Sequence, residues 1–259
     1  DNAEPMTQGE YGDDAVACLV SVFQSRIDVL AESRMRGDWR VYPVARYAVM
    51  PDPDATPESY TKVAQKQFVL PRIDHSGASA EAFNALMESL ADAIETAPAM
   101  EEEGASRLDD PASDQQVTAT IESVTPQRIS VVINDWWFGH GAAHGNYAIT
   151  YLHYLPDEGR ALEASDLFEG DAWQEPLAAA AFAELERSIE GGPWQHSADE
   201  LVALVSDPAR WAFDERGLVL QFQPYEVTAY ASGAPKVTVP WPALEAYLAP
   251  GSQSLIEVY

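Results

Sequence analysis

The chain has 259 residues, of which 46% are apolar and 10% are aromatic, enough to fill the core of one large domain or two small ones. Its 42 acidic and 15 basic residues give a formal net charge of −27. Because phosphate groups repel such a chain, the charge argues against nucleic acid and anionic lipid as partners. The same charge would attract a cationic partner, or it serves only solubility.

The cellular compartment is indicated only indirectly. Cys18 is the single cysteine, so neither an intrachain disulfide nor a cysteine-based zinc cluster can form. No apolar run approaches the roughly 18 residues of a membrane span, and the chain opens on polar and acidic residues without an initiator methionine. A mature secreted chain and a trimmed one both begin this way, so removal of a leader or an anchor is an open alternative.

Residues 1–38 form the first predicted unit, an N-terminal amphipathic helix that runs over residues 14–36. An aspartate at its start can cap it, and Gly37 can end it. Its apolar residues recur at helical spacing, and they are Val16, Leu19, Val22, Phe23, Ile27 and Leu30. We expect Cys18, which lies within this helix, to pack in the core.

The second predicted unit is a small α+β domain over residues 39–111. Residues 39–50 and 65–73 alternate like two strands of a hairpin that is joined by a long proline-rich loop. A helix capped by Ser79 follows, and its apolar face consists of Phe83, Leu86, Met87, Leu90 and Ile94. The acidic stretch 100–114 has no periodicity, so we interpret it as an exposed linker that marks a domain boundary.

The third predicted unit, residues 112–259, begins with an antiparallel meander. Its strands are predicted over 117–124, 129–137 and 147–155, with a tight turn at 157–159. The third strand is apolar on both faces, which indicates a central strand that is covered on both sides.

Helices and a second hairpin complete this unit. Two helices are predicted over 173–189 and 242–248. A third, shorter helix is predicted after Ser197, which has the spacing of a capping box with Glu200. Strands are predicted over 210–213, 218–223 and 237–239. The predicted fold class is therefore α+β, an antiparallel sheet with helices packed on it, preceded by the smaller domain and the N-terminal helix.

Four motifs in this last unit resemble a known family. They are the runs DWWFGHGAAHGN at 135–146, GRALEASDLF at 159–168, FDERGLVLQFQPYEV at 213–227, and the segment from YASG at 230–233 to VPW at 239–241. Together they resemble, in the same order, the extracytoplasmic domain of unknown function that ends lysozyme-sensing anti-sigma factors of the RsiV type. The same domain accompanies some peptidoglycan deacetylases of the PdaC type.

The resemblance implies a mixed α+β fold, a periplasmic or extracellular location in the cell envelope, and recognition of lysozyme or of cell-wall glycan. The resemblance does not justify assigning anti-sigma or deacetylase activity to this chain. A sigma-binding segment, a membrane span and a polysaccharide deacetylase domain are not recognisable in the sequence.

The glycine-rich loop at 139–146 is the candidate binding site. Its three glycines allow the backbone to approach a ligand closely and to present N–H groups. The candidate binding residues are Trp137, His140, His144, Asn146, Tyr225 and Glu226. The structural alternative is a tight connection between two central strands, in which His144 hydrogen-bonds the backbone and Tyr225 and Glu226 pack beneath the loop.

Trp136 and Trp137 could each stack on a sugar, but adjacent strand residues point to opposite faces, so at most one of them lines a given surface. His140, His144, His153 and a carboxylate would be enough ligands for a metal site. However, the spacing of His140 and His144 suits a metal only on a helix, and the glycines disfavour a helix there. We predict neither a cofactor nor a resident metal. The sequence contains no nucleophile elbow, zincin motif, phosphate loop or dinucleotide fingerprint.

Two hypotheses follow. The first is a non-catalytic binding or sensing module for a basic protein such as lysozyme, or for cell-wall glycan. The alternative is a cell-wall hydrolase or metal-binding protein that uses His144 and nearby carboxylates. Metal analysis and turnover of peptidoglycan fragments separate these two hypotheses. The value of the loop as a binding site depends on whether His144 faces solvent or is buried.

Overall fold

The structure, a computed structural model, describes residues 33–59, 61–75, 77–95 and 112–257, with seven further positions between 16 and 31 that are helical. Cys18 and most of the acidic stretch predicted as a linker lie outside the described residues. No helix in the described part of the chain is long and apolar enough to span a membrane.

A seven-stranded sheet forms the larger layer. In spatial order its strands are β1 (Arg34–Arg36), β2 (Trp39–Pro51), β3 (Val63–Asp74), β4 (Ser113–Val124), β5 (Ile129–Gly139), β6 (Asn146–Leu155) and β7 (Arg160–Ala161). Neighbouring strands are antiparallel except for the parallel pair β3 and β4. A parallel pair requires a crossover connection, and α1 (Ala78–Glu95) lies in that connection.

A smaller antiparallel sheet follows in the chain. Its order is β10 (Lys236–Pro240), β9 (Gly217–Gln221) and β8 (Trp211–Asp214). After β7, the α-helices of the described residues are α2 (Ala164–Leu167), α3 (Gln174–Ser188), α4 (Val202–Val205), α5 (Trp241–Leu244) and α6 (Gln253–Ile256). The predicted α+β class, with an antiparallel sheet and packed helices, is confirmed.

Two apolar cores hold these layers together. In the first, α1 packs on one face of the large sheet, and Phe83 and Met87 meet Phe68, Val117 and Val131. The apolar positions of α1 recur at helical spacing, which is why one face of the helix is buried.

In the second core, α3 packs on the small sheet, and Leu177 and Leu185 meet Leu220 and Val239. Gly217 allows a close approach here, because a Cβ at this position would lie 2.1 Å from the carbonyl oxygen of Val239.

Three local predictions are wrong. The N-terminal helix does not reach Arg36, because Arg34–Arg36 pair with β2 as strand β1 and Gly37, at φ +58°, turns the chain between the two. Ser79 does not cap α1, since it lies inside the helix and its hydroxyl donates to the carbonyl of Pro156. Ser197 forms no capping box, because Glu200 accepts a hydrogen bond from the backbone N–H of His196.

The position of β6 differs in part from the prediction. Both of its faces are covered near the C-terminal end, where Tyr154 belongs to the first core and Leu155 to the second. However, β6 is the second strand from the end of the sheet, and β7 pairs with it only at Tyr154 and Leu155. Its outer edge is otherwise open to other partners, because β7 has only two residues.

The predicted domain boundary near residue 111 falls between β3 and β4, which are hydrogen-bonded neighbours in one sheet. The division into units 1–38, 39–111 and 112–259 therefore stays a prediction, and the main-chain pairing is continuous across its second boundary.

Candidate functional site

The face of the large sheet opposite α1 carries a row of side chains from five adjacent strands. In register these are Tyr47 on β2, Gln67 on β3, Gln116 on β4, Trp136 on β5 and Tyr147 on β6. We call them the aromatic–amide row. Four inter-strand spacings of about 4.8 Å give the row a length of roughly 19 Å.

Alternation along each strand places this row away from α1. The neighbouring residues Phe68 and Val117 lie in the core under α1, and side chains at successive positions of a strand point to opposite faces. Tyr47 is 61% exposed and Trp136 is 39% exposed. The row is thus a solvent-accessible surface in which aromatic rings flank two amides.

The glycine-rich loop closes one end of the row with further rings. The imidazole of His144 stacks on the ring of Tyr230, with centroids 4.4 Å apart, and the ring of Tyr225 lies 5.2 Å from that of Tyr230. Tyr147 meets Tyr230 edge-on at 6.2 Å. We call Trp136, His144, Tyr147, Tyr225 and Tyr230 the aromatic patch.

His144 faces solvent, which is the condition on which a binding role for the loop depends. Its Nδ1 lies 2.7 Å from the carbonyl oxygen of Gly145 and therefore donates, while Nε2 lies 3.4 Å from the hydroxyl of Tyr225. The hydroxyl of Tyr230 donates to the same Gly145 carbonyl at 2.8 Å. The exposed imidazole is consequently held in one orientation.

The position of the Trp136 side chain requires a glycine at position 145. A Cβ at Gly145 would lie 2.6 Å from the indole Nε1 of Trp136, much closer than any normal van der Waals contact. The indole therefore lies directly on the bare backbone of the loop, and this contact connects the loop to the aromatic–amide row.

Tyr225 has φ +66°, and it is the one non-glycine residue with positive φ among those that the structure describes. This conformation costs roughly 1–2 kcal/mol in an L-residue, yet the side chain is 48% exposed. Strained backbone of this kind concentrates at binding and catalytic sites.

The neighbours of Tyr225 hold it in place. The carboxylate of Glu226 accepts two hydrogen bonds from Arg210, at 2.6 and 2.8 Å, and one from the backbone N–H of Gln223. The side-chain amide of Gln223 in turn bonds both the N–H and the carbonyl of Ile149, at 2.8 and 2.7 Å, on the edge of β6. Glu226 thus positions the segment and does not itself belong to the patch.

His140 lies in a buried ionic cluster instead of on the surface. Its side chain is 7% exposed, with Nδ1 3.0 Å from Asp52 and Nε2 3.4 Å from Asp114. Burial alone would lower the pKa of His140, but the hydrogen bonds and charges of the two aspartates raise it above its ordinary value. The hydrogen bond from His140 is the main cause that lowers the pKa of Asp52. The cluster joins the loop after β2 to β4 and to the end of β5.

Trp137 and Asn146 are not brought together with the patch. They are register partners on the face that carries α1, one residue out of phase with Trp136 and Tyr147. The side-chain oxygen of Asn146 accepts from the N–H of Tyr147. Sequence reasoning established that the two tryptophans face opposite ways, and the register selects Trp136.

The other residues that sequence reasoning missed are Tyr47, Tyr147 and Tyr230. Tyr47 lies 89 positions before Trp136 in the chain, and only the shared sheet register brings them into one row. Tyr230 lies in the YASG motif, which was recognised as a pattern without a role.

The three histidines considered as metal ligands have other partners. His153 is buried, with Nδ1 2.9 Å from the hydroxyl of Ser130 and Nε2 2.8 Å from the carbonyl of Trp211. Burial, together with the charge of Arg128, lowers the pKa of His153 to about 3, so it is neutral. Within the described residues, no group of three or more His, Cys, Asp or Glu side chains could hold a metal ion.

Comparison with known proteins supports the fold. Residues 165–242 match the family described as "Protein of unknown function (DUF3298)". No curated protein matches the chain.

Two solved structures of proteins from that family share the architecture. One, from Pseudomonas aeruginosa PAO1, has 16% sequence identity and a TM-score of 0.53, with 81% of this chain and 94% of that one covered. Another, from Bacteroides fragilis NCTC 9343, has 14% identity and a TM-score of 0.55, with 86% and 98% covered. At these identities the likeness concerns the fold alone.

Proposed function

We propose that the chain is a non-catalytic binding or sensing module of the cell envelope, in the periplasm or outside the cell, that recognises cell-wall glycan through the aromatic patch. The observation that carries the proposal is the solvent-exposed position of His144 and Tyr225, whose rings are fixed against each other and against Tyr230, next to the loop that Trp136 contacts at Gly145. The proposal also extends the resemblance to RsiV-type and PdaC-type domains.

The chemistry of the surface favours a sugar polymer. Aromatic rings offer flat apolar faces with a polar edge, and the amides of Gln67 and Gln116 offer both donors and acceptors. The row contains no carboxylate, imidazole or basic side chain, and a mostly apolar surface with a few fixed polar groups is typical of small-molecule recognition. An extended chain of sugar rings fits such a row.

The patch is also rigid before a ligand arrives. Gln223 and Glu226 fix the Tyr225 segment to β6 and to Arg210, and the Gly145 carbonyl fixes both His144 and Tyr230. Preorganised side chains lose little conformational entropy on binding.

The hydrolase alternative is supported less well. The hydrogen-bond partners of His144 are Gly145 and Tyr225, and in the described part of the chain no carboxylate bonds the imidazole. A general base normally has such an orienting partner.

A basic protein such as lysozyme is a second candidate partner, and the observation that favours it is the net charge of −27. Long-range attraction of this kind weakens as salt rises, because charges are screened beyond about 8 Å at physiological ionic strength. A glycan gains nothing from this attraction, so its binding should not weaken in the same way as salt rises, and titrations at low and high salt separate the two partners.

The direct test is calorimetric titration of the protein with soluble peptidoglycan fragments. We expect Trp136→Ala to weaken binding at least tenfold, or about 1.4 kcal/mol, while Trp136→Phe keeps much of the affinity. Glu81→Ala, on an exposed position of α1 and so on the opposite side of the sheet, serves as the control. Equal affinity of the wild type and Trp136→Ala would refute the role of the patch.

A further inference from the structure

A cavity opens on the same sheet face as the aromatic–amide row. It has a volume of about 240 Å³, and its lining includes Arg34, Arg36, Val69, Pro71, Thr118 and Thr120. The two arginines come from β1, which pairs with β2 at the edge of the sheet. The floor is therefore apolar and hydroxylated, and the rim is cationic.

The charge of this rim is unusual for the chain. Only 15 of 259 residues are basic against 42 that are acidic, yet two of the basic ones lie two positions apart on one short strand and so on the same face. Ion pairs to carboxylates hold Arg46, Arg160, Arg187, Arg210 and Arg216. Within the described residues, Arg34 and Arg36 have no such ion pair, and Arg34 donates only to the carbonyls of Ala31 and Ser33.

A planar guanidinium matches a carboxylate with two parallel hydrogen bonds. An exposed arginine pair beside apolar and hydroxyl groups is suited to a carboxylate whose neighbouring carbons are apolar. The whole protein is strongly acidic and attracts cations, but such a pair makes this one face attract anions.

The cavity and the row are close enough for one ligand to contact both. Thr118 lies two positions from Gln116 along β4 and pairs in register with Asn134. Two residues of a strand span roughly 7 Å. The cavity therefore begins about one side-chain position beyond the row, on the same face.

We infer that the ligand of the row is a glycan that carries carboxylates, and that Arg34 and Arg36 bind one of those carboxylates while the aromatic patch binds the sugar rings. This inference rests on the proposed function and specifies its substrate class.

The test compares two probes of equal length at physiological ionic strength, where repulsion from the rest of the chain is screened. One probe is a neutral oligomer of N-acetylglucosamine. The other alternates N-acetylglucosamine with N-acetylmuramic acid, which adds a lactyl carboxylate to the same sugar. Each is titrated into the wild type, into the double variant Arg34→Gln/Arg36→Gln, and into Arg72→Gln, in which an exposed arginine of β3 near α1 is replaced.

We expect the wild type to bind the carboxylated probe at least tenfold more tightly than the neutral one. The double variant should lose this preference while its affinity for the neutral probe stays unchanged, and Arg72→Gln should behave like the wild type. Equal affinity of the wild type for both probes would overturn the inference and leave the proposed function intact. An equal loss in Arg72→Gln would also overturn it, because the effect would then be one of net charge. Failure of the wild type to bind either probe would overturn both proposals.

Discussion

Replacement of Gly145 by alanine tests whether the position of the Trp136 indole matters for binding. The new Cβ would lie 2.6 Å from the indole Nε1, so the ring must move away by most of an ångström. Trp136 is 39% exposed and can move toward solvent, at a cost of about 0.5–1.5 kcal/mol for an off-rotamer side chain.

The cost of this movement is offset in part by the unfolded chain. Alanine restricts the unfolded chain more than glycine does, which stabilises a compatible site by about 0.4–1 kcal/mol. No positive φ is found at Gly145, so the backbone accepts alanine. We therefore expect the free energy of unfolding to change by less than about 1 kcal/mol, while glycan affinity falls about tenfold or more because the indole leaves its place on the backbone of Gly145.

Gly139→Ala is the matched control in the same loop, because nothing lies within 4 Å of the position that its new Cβ would take and its φ is also not positive. Urea unfolding and calorimetric titration of both variants provide the two measurements. A loss of more than about 2 kcal/mol in Gly145→Ala would show that the indole is a structural element. Unchanged affinity would show that its position is irrelevant to the ligand.

Three further predictions concern the scaffold. Arg128→Met should destabilise the fold by about 2–4 kcal/mol in urea unfolding. The buried guanidinium donates to the carbonyls of Leu255 and Glu257, and its Cζ lies 4.0 Å from the ring centroid of Phe213. A change below about 0.5 kcal/mol would contradict this. Gly217→Ala should cost at least about 3 kcal/mol, since the clash is with backbone and β9 must separate from β10; wild-type stability would refute the close approach. His140 has a raised pKa in the folded protein, so the wild type should have a larger free energy of unfolding than His140→Ala at low pH. This difference should be full below the unfolded pKa of 6.5 and decline as pH rises through the pKa of folded His140. A difference that grows with pH in urea titrations would have the wrong sign.

Local pattern was sufficient for much of the fold. The hairpin of β2 and β3, helix α1, the meander of β4 to β6 and the hairpin of β8 and β9 were all predicted from alternation, helical spacing and turn residues. Each is stabilised by side chains near one another in sequence or by one buried face, so local signals suffice.

The errors arise where distant partners decide the structure. Residues 34–36 were included in the predicted helix because Gly37 was the first residue that could end it, but they pair with β2, and tertiary pairing overrides local propensity in such cases. His140 was predicted to bind a ligand because it lies in the loop motif, yet Asp52 and Asp114 bury it. No local pattern could indicate these two partners, which lie 88 and 26 positions away.

The candidate site was predicted in part. His144 and Tyr225 were selected from the loop and from the strand end, and the structure brings them together with Tyr230. Tyr47 and the choice of Trp136 over Trp137 depend on the register across β2 to β6, which the sequence does not specify at that distance.

The parallel pairing of β3 with β4 has a consequence for any fragment of this chain. A fragment that begins at residue 112 would lack β3, and the edge of β4 between Gln115 and Thr118 would lose its hydrogen-bonding partners. It would also lack α1, so Val117 and Val131 would be exposed. An unprotected strand edge next to an apolar face favours aggregation or strand exchange between copies. The first hairpin and α1 thus cover the strand edge and the apolar sheet face of the half of the chain that contains the glycine-rich loop.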